Sequence, residues 1–169
     1  DTARPFRRSP LYDRLAAQGA VFGSKMGWER ANYFARREAE RTTGYSFGPQ
    51  NWFETVAAEH RACREAAGLV DMSSFAKFLL QGPQAEAALQ RLAANDVAVP
   101  VGTSVYTALL NARGTFESDL TAARIAPDTY LLLTGTAQAT RDAHWITRQL
   151  PEGVTLTDKS PETCIFALQ

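Results

Sequence analysis

Ser104-Val105-Tyr106-Thr107-Ala108-Leu109-Leu110-Asn111-Ala112-Arg113-Gly114-Thr115-Phe116-Glu117-Ser118-Asp119-Leu120-Thr121-Ala122 reads as two β-favouring runs either side of a turn. Valine, tyrosine, threonine and phenylalanine suit a pleated, half-buried surface, and Asn111 to Gly114 supplies residues that reverse a chain. Residues 115–125 and 129–134, joined at Pro127-Asp128, extend the pair into a three-strand antiparallel meander. On the N-terminal side, residues 77–81 form a further strand. Gly82-Pro83 then opens a helix with Ala85, Ala88, Leu89 and Leu92 at helical spacing, ending near Asn95. On the C-terminal side, a helix over 136–150 turns Ala139, Ala143, Ile146 and Leu150 inward, and strands return at 154–157 and 164–169. Antiparallel strands with helices interspersed make an α+β fold.

The first seventy residues are less regular. Ser9-Pro10 followed by Leu11, Leu15 and Ala16 reads as a short capped helix ending near Gly19, and residues 20–34 as irregular strand and loop. Residues 35–50, with Arg36, Arg37, Glu38, Glu40, Arg41, Gly44, Gly48 and Pro49, are too polar and interrupted to bury a face, and form a surface excursion. A strong helical stripe follows: Phe53, Val56, Ala57, His60, Cys63 and Ala67 fall on one side and Glu54, Arg61 and Glu65 on the other, with Gly68 as the stop.

With 169 residues and 45% hydrophobic content, the chain fits one domain, 1–169. Eighteen basic side chains balance eighteen acidic ones, so no net field gathers nucleic acid or an anionic membrane. No run approaches the roughly 18 apolar residues of a bilayer span. Cys63 and Cys164 stand at no metal-ligand spacing and form no disulfide framework, so buried thiols in a reducing compartment and no metal site are expected. His60 and His144 read as core-edge histidines, and Gly19, Gly23 and Gly27 lack the context of a phosphate cradle.

Chemistry concentrates in the quoted stretch. Alternation puts Glu117, Asp119 and Thr121 on one strand face and Phe116, Ser118, Leu120 and Ala122 on the other. Carboxylates are disfavoured within strands, so Asp119 either faces water or has a task. Tyr106 is either a core aromatic of its strand or a ring presented to a ligand.

Several words of this chain together resemble the glycine-cleavage T-protein (aminomethyltransferase) family. Arg8-Ser9-Pro10-Leu11-Tyr12, Gly19-Ala20 and Gly27-Trp28-Glu29 look like that family's opening. Val70-Asp71-Met72-Ser73-Ser74-Phe75 occupies the place of its Asp-Val-Ser-His-Met element, with Ser74 for histidine and Phe75 for methionine. Tyr106-Thr107-Ala108-Leu109-Leu110-Asn111 and Glu117-Ser118-Asp119-Leu120 look like the segment carrying its folate-site tyrosine and catalytic aspartate, although Gly114-Thr115 replaces the usual paired glycines. Phe47-Gly48-Pro49-Gln50-Asn51-Trp52-Phe53 and Glu59-His60-Arg61-Ala62-Cys63-Arg64-Glu65-Ala66 are similar to the dimethylglycine and sarcosine dehydrogenase branch.

The resemblance implies a tetrahydrofolate-binding domain, of which this is the N-terminal part, in a longer flavoenzyme whose FAD sits in a preceding domain. Its implied task is capture of the one-carbon unit released on oxidative demethylation of a small N-methyl amine, giving 5,10-methylenetetrahydrofolate. Asp119 is the implied catalytic and folate-binding residue; Tyr106 and Phe75 line the pterin. The isolated segment is expected to be inactive. A non-catalytic structural module and a stand-alone glycine-cleavage aminomethyltransferase are the alternatives. Fifteen arginines against three lysines point to a bacterial cytoplasm, with the mitochondrial matrix as the eukaryotic equivalent.

Overall fold

The computed structural model describes residues 3–169. Along the chain run α1 (Tyr12–Ala17), β1 (Ala20–Lys25), β2 (Trp28–Phe34), α2 (Phe53–Glu65), β3 (Leu69–Asp71), β4 (Ala76–Gln81), α3 (Ala85–Leu92), β5 (Ser104–Leu110), β6 (Phe116–Ala126), β7 (Thr129–Thr134), α4 (Ala139–Thr147), β8 (Thr155–Asp158) and β9 (Phe166–Leu168). They group into two compact units, residues 75–163 and residues 3–74 with 164–169. The mixture of helix and antiparallel strand is the expected α+β class.

Residues 75–163 hold a five-stranded antiparallel sheet in the order β5-β6-β7-β4-β8. The meander expected from the sequence is β5-β6-β7, and β4 pairs with β7 across its far edge. Alternation then divides the faces. Phe78, Leu80, Leu109, Leu120, Ala122, Tyr130 and Leu132 are buried with Leu89 and Leu92 of α3 and Ile146 of α4 in one apolar cluster. Each fully buried Leu or Ile there contributes about 1.5–3 kcal/mol relative to exposure. The Tyr130 hydroxyl, buried among these groups, donates to the Val97 carbonyl at 3.0 Å. On the opposite face, Tyr106, Asp119, Thr121, Leu131 and Leu133 are half-buried or exposed.

The other unit departs from expectation in three places. Residues 20–34 are a two-stranded hairpin, with Lys25 opposite Trp28, a two-residue turn at Met26-Gly27 and one register shift between Val21 and Phe22. Both turn residues take positive φ, 51° and 82°, the geometry that matches strand twist. Second, α2 does not bury its apolar stripe: Phe53, His60 and Cys63 are exposed, and Thr55 is its buried residue. Its inward side is polar because the Glu40 carboxylate and the Phe34 amide take their partners from it. The Thr55 hydroxyl donates to Glu40 at 2.9 Å, and Glu59 accepts from the Phe34 amide at 2.8 Å. Third, Cys63 and Cys164 are both exposed free thiols, and His60 is exposed rather than core-edge, as is His144 in residues 75–163.

Within residues 35–50, Glu40 is 1% exposed. Its carboxylate accepts from the amides of Arg36 and Arg37, the Arg37 guanidinium and Thr55. Those donors, the Arg36 amide first, hold its pKa at about 2 against desolvation that pushes upward. The Tyr33 hydroxyl donates to the Glu40 carbonyl at 2.8 Å, tying the hairpin to the same anchor. β9 completes this unit by pairing antiparallel with β3, Leu168 facing Leu69.

Candidate functional site

The hairpin β5-β6 carries the chemistry anticipated in the sequence. Its turn closes with the Gly114 amide donating to the Asn111 carbonyl at 2.8 Å and the Asn111 amide donating to Thr115 at 3.0 Å. The Asn111 side-chain oxygen accepts from the Arg113 and Thr115 amides. Gly114 alone takes a positive φ in this turn, 73°, so a threonine at 115 is accommodated without strain. Leu109 then pairs with Ser118 and Leu110 with Phe116, which makes Glu117 the extra residue of a β-bulge.

Past the bulge the pairing sets Ala108 opposite Asp119 and Tyr106 opposite Thr121. Tyr106 and Asp119 are therefore diagonal neighbours on one face, within reach of a long aromatic. The Tyr106 hydroxyl donates to Asp119 Oδ2 at 2.7 Å. Tyr106 is 65% exposed, so its ring belongs to no core, and Asp119 is half-buried. The Asp119 carboxylate, through that hydrogen bond first and its charge second, pushes the Tyr106 phenol pKa up, so the hydroxyl keeps its proton. The Asn95 side chain donates to the Tyr106 carbonyl at 2.7 Å and fixes the strand behind the ring.

Glu117, the bulge residue, accepts from Asn111 at 2.8 Å and from Arg141 of α4 at 2.6 Å. Both donors, Asn111 first, hold its carboxyl below the usual range. Asn111 and Arg141 are partners that strand alternation gives no means of finding. Phe75 immediately precedes β4, where Ala76 pairs with Thr134 and Thr134 with Leu120. One row over, Phe75 falls in line with Asp119, two strands away at about 4.8 Å per strand. Pairing thus brings Tyr106 and Asp119 into contact, while Phe75 lies in the row of Asp119 two strands away.

A concavity lies within residues 3–74, a groove of about 320 Å³ whose lining includes Arg30, Tyr33, Glu59, Cys63, Val70 and Asp71. Among the described residues no group of three His, Cys, Asp or Glu stands close enough to hold a metal ion, and no helix is long and apolar enough to cross a membrane.

Residues 11–169 match the family model described as the GCVT N-terminal domain. The chain is 41% identical over 148 residues to 4-methylaminobutanoate oxidase (formaldehyde-forming) of Paenarthrobacter nicotinovorans, covering 88% of this chain and 18% of that protein. It is 38% identical over 156 residues to the mitochondrial pyruvate dehydrogenase phosphatase regulatory subunit of Mus musculus, covering 89% and 18%. Mitochondrial sarcosine dehydrogenase of the same organism is 37% identical over 150 residues, covering 75% and 16%. The chain thus spans less than a fifth of each of these curated relatives. Among solved structures, glycine cleavage system aminomethyltransferase T from Bartonella henselae superposes with a TM-score of 0.76 at 25% identity, covering 97% of this chain and 40% of that one.

Proposed function

The chain belongs to the GCVT N-terminal domain family, the aminomethyltransferase-like folate-binding domains, and from that premise we propose that it captures a one-carbon unit on tetrahydrofolate. In this reading the parent protein is a dimethylglycine- or sarcosine-dehydrogenase-like flavoenzyme. A FAD held in another domain would supply the two-electron oxidation of an N-methyl amine, and the one-carbon unit released would end as 5,10-methylenetetrahydrofolate. A bacterial cytoplasm or a mitochondrial matrix suits such a protein.

The single observation behind this reading is the Tyr106–Asp119 pair, bonded at 2.7 Å on an open sheet face. Tetrahydrofolate, when bound, supplies the two nitrogens that receive the carbon. The residues fit a pterin: an exposed tyrosine ring offers an apolar plane, and a half-buried carboxylate offers an acceptor for ring N–H groups. Tyr106 spends its hydroxyl proton on Asp119 Oδ2, so it orients the carboxylate and leaves Oδ1 to meet a ligand donor. Asp119 then stabilises positive charge as it develops and manages the proton displaced when carbon joins nitrogen. Phe75 adds apolar wall in the same row.

The test is Asp119→Ala in the intact enzyme. Removing a group that acts on developing charge is expected to lower the rate of methylenetetrahydrofolate formation by about 10²-fold or more. Unchanged product yield and unchanged folate affinity overturn the proposal. A second reading draws on the relative named as a regulatory subunit: the domain as a structural module without transfer chemistry. Tetrahydrofolate titration of the full-length protein separates the two, since the module alone gives no saturable binding.

A further inference from the structure

Behind Asp119, on the core face of the sheet, lies a second carboxylate that the reaction does not touch. Asp142, in the first turn of α4, is 1% exposed. The Ser118 hydroxyl donates to its Oδ2 at 2.8 Å, and the Thr134 hydroxyl donates to the same oxygen. Ser118 also lies 3.0 Å from Gln138 Oε1, and Thr134 Oγ1 lies 3.4 Å from the Asp119 carbonyl. One acid therefore gathers β6 and β7 on either side of the Asp119 peptide. Leu120, two residues along β6 from Ser118, and Ile146, one turn along α4 from Asp142, are both buried in the apolar cluster. A hydrophobic side chain of similar size would pack there without the cost of desolvating a charge, so packing alone does not account for an acid.

The strand needs holding at this point. Glu117 is the extra residue of the bulge, where the ladder to β5 is broken and the strand is free to roll. Two consecutive residues of α4 grip the two residues of β6 that precede Asp119: Arg141 holds Glu117 at 2.6 Å and Asp142 holds Ser118. Successive strand side chains point to opposite faces, so fixing Ser118 against the core sets the angle at which Asp119 leaves the other face.

We propose that Asp142 is a positioning residue that, through Ser118 and Thr134, fixes the roll of β6 so that the Asp119 carboxylate meets the Tyr106 hydroxyl. This rests on the reading of Asp119 given above. Catalytic groups lose effect steeply when displaced, so the consequence falls on turnover more than on binding.

The experiment compares Thr134→Val, Thr134→Ser, Ser118→Ala and Asp119→Ala in the intact parent enzyme, with methylenetetrahydrofolate formation as one readout. The other is the titration of Tyr106, carrying a site-specific ¹³C label, whose phenol pKa the Asp119 contact raises above 10.0. Thr134→Val removes the hydroxyl and keeps the shape. It is expected to lower kcat about tenfold while KM for tetrahydrofolate stays within about twofold, and to bring the Tyr106 titration to lower pH. Thr134→Ser is expected to restore both. Ser118→Ala, a smaller deletion, is expected to move both readouts in the same direction and decides the matter if Thr134→Val does not fold. If the folded hydroxyl-deletion variants keep wild-type kcat and an unmoved Tyr106 titration while Asp119→Ala is impaired, the positioning role falls and the site reading stands. If Asp119→Ala is itself unimpaired, both fall.

Discussion

In residues 75–163 a single buried apolar cluster runs from Ala76 to Val154 and joins strands β4 to β7 to α3 and α4. In residues 3–74 and 164–169, among the described residues, the buried hydrophobic side chains are Trp28 and Tyr33, and the buried polar ones are Ser9, Glu29, Glu40, Thr55, Ser73 and Ser74. What replaces a core there is a set of anchored acids. Arg4 binds Glu29 through two hydrogen bonds, Glu40 collects backbone and side-chain donors, Glu59 caps the Phe34 amide, and Asp71 accepts from Ser9. Apolar burial is nearly indifferent to pH, whereas a carboxylate held by donors works only while ionised. The candidate site stands on the apolar cluster, with one anchored acid, Asp142, set beneath it through Ser118 and Thr134.

The largest effect should come from opening the apolar cluster. Leu132, fully buried, pairs opposite Phe78 and Ala122. Leu132→Ala is expected to cost about 2–5 kcal/mol, read by denaturant unfolding together with loss of amide protection across residues 76–134. A loss confined to residues 3–74 would break the contrast.

A smaller effect, opposite in location, comes with acid. The Glu40 pKa is lowered from 4.5 to about 2, and that of Glu29 is also lowered, chiefly by the Arg4 hydrogen bond. A group with a depressed folded pKa contributes stability fully above its unfolded value and loses it as pH falls toward the folded one. Between pH 4.5 and about 2, residues 28–55 are therefore expected to lose hydrogen-exchange protection before residues 76–134 do. Glu40→Gln should remove much of that pH dependence. Simultaneous release of both units at every pH would show that the acids are not what distinguishes them.

Much of the sheet was legible because its signals are local. Residues 104–134 alternate, and the burial of Ser118, Leu120 and Ala122 against half-buried Glu117, Asp119 and Thr121 follows that alternation. The Tyr106–Asp119 diagonal follows from pairing alone. Asp142 could not be read, because its reason lies in Ser118 and Thr134, 24 and 8 residues away in sequence. The inward face of α2 departs from its apolar stripe for the same cause. Its apolar stripe satisfies a helical pattern, yet the demand of Glu40 for the Thr55 hydroxyl and of the Phe34 amide for Glu59 turns a polar side inward. Periodicity counts apolar residues and carries no information about which distant acid must be satisfied.

The hairpin β1-β2 gives the finest test of how the less apolar unit is held. A two-residue turn with both φ angles positive favours asparagine followed by glycine, and here methionine fills the first position at φ 51°. Met-Gly is no turn signal, which is why residues 20–34 read as irregular. A Cβ crowds the neighbouring carbonyl oxygen in the left-handed region, and Asn offsets that cost through local hydrogen bonding. Met26 is exposed, so replacing it forfeits little packing. Met26→Asn is thus expected to stabilise the hairpin by about 0.5 kcal/mol, seen as roughly twofold slower exchange of the β1-β2 amides with residues 76–134 unchanged. Faster exchange in this variant would mean that the Met26 side chain contributes contacts outweighing its backbone strain. The hairpin would then owe more to apolar contact, and less to its anchored acids, than the contrast between the two units holds.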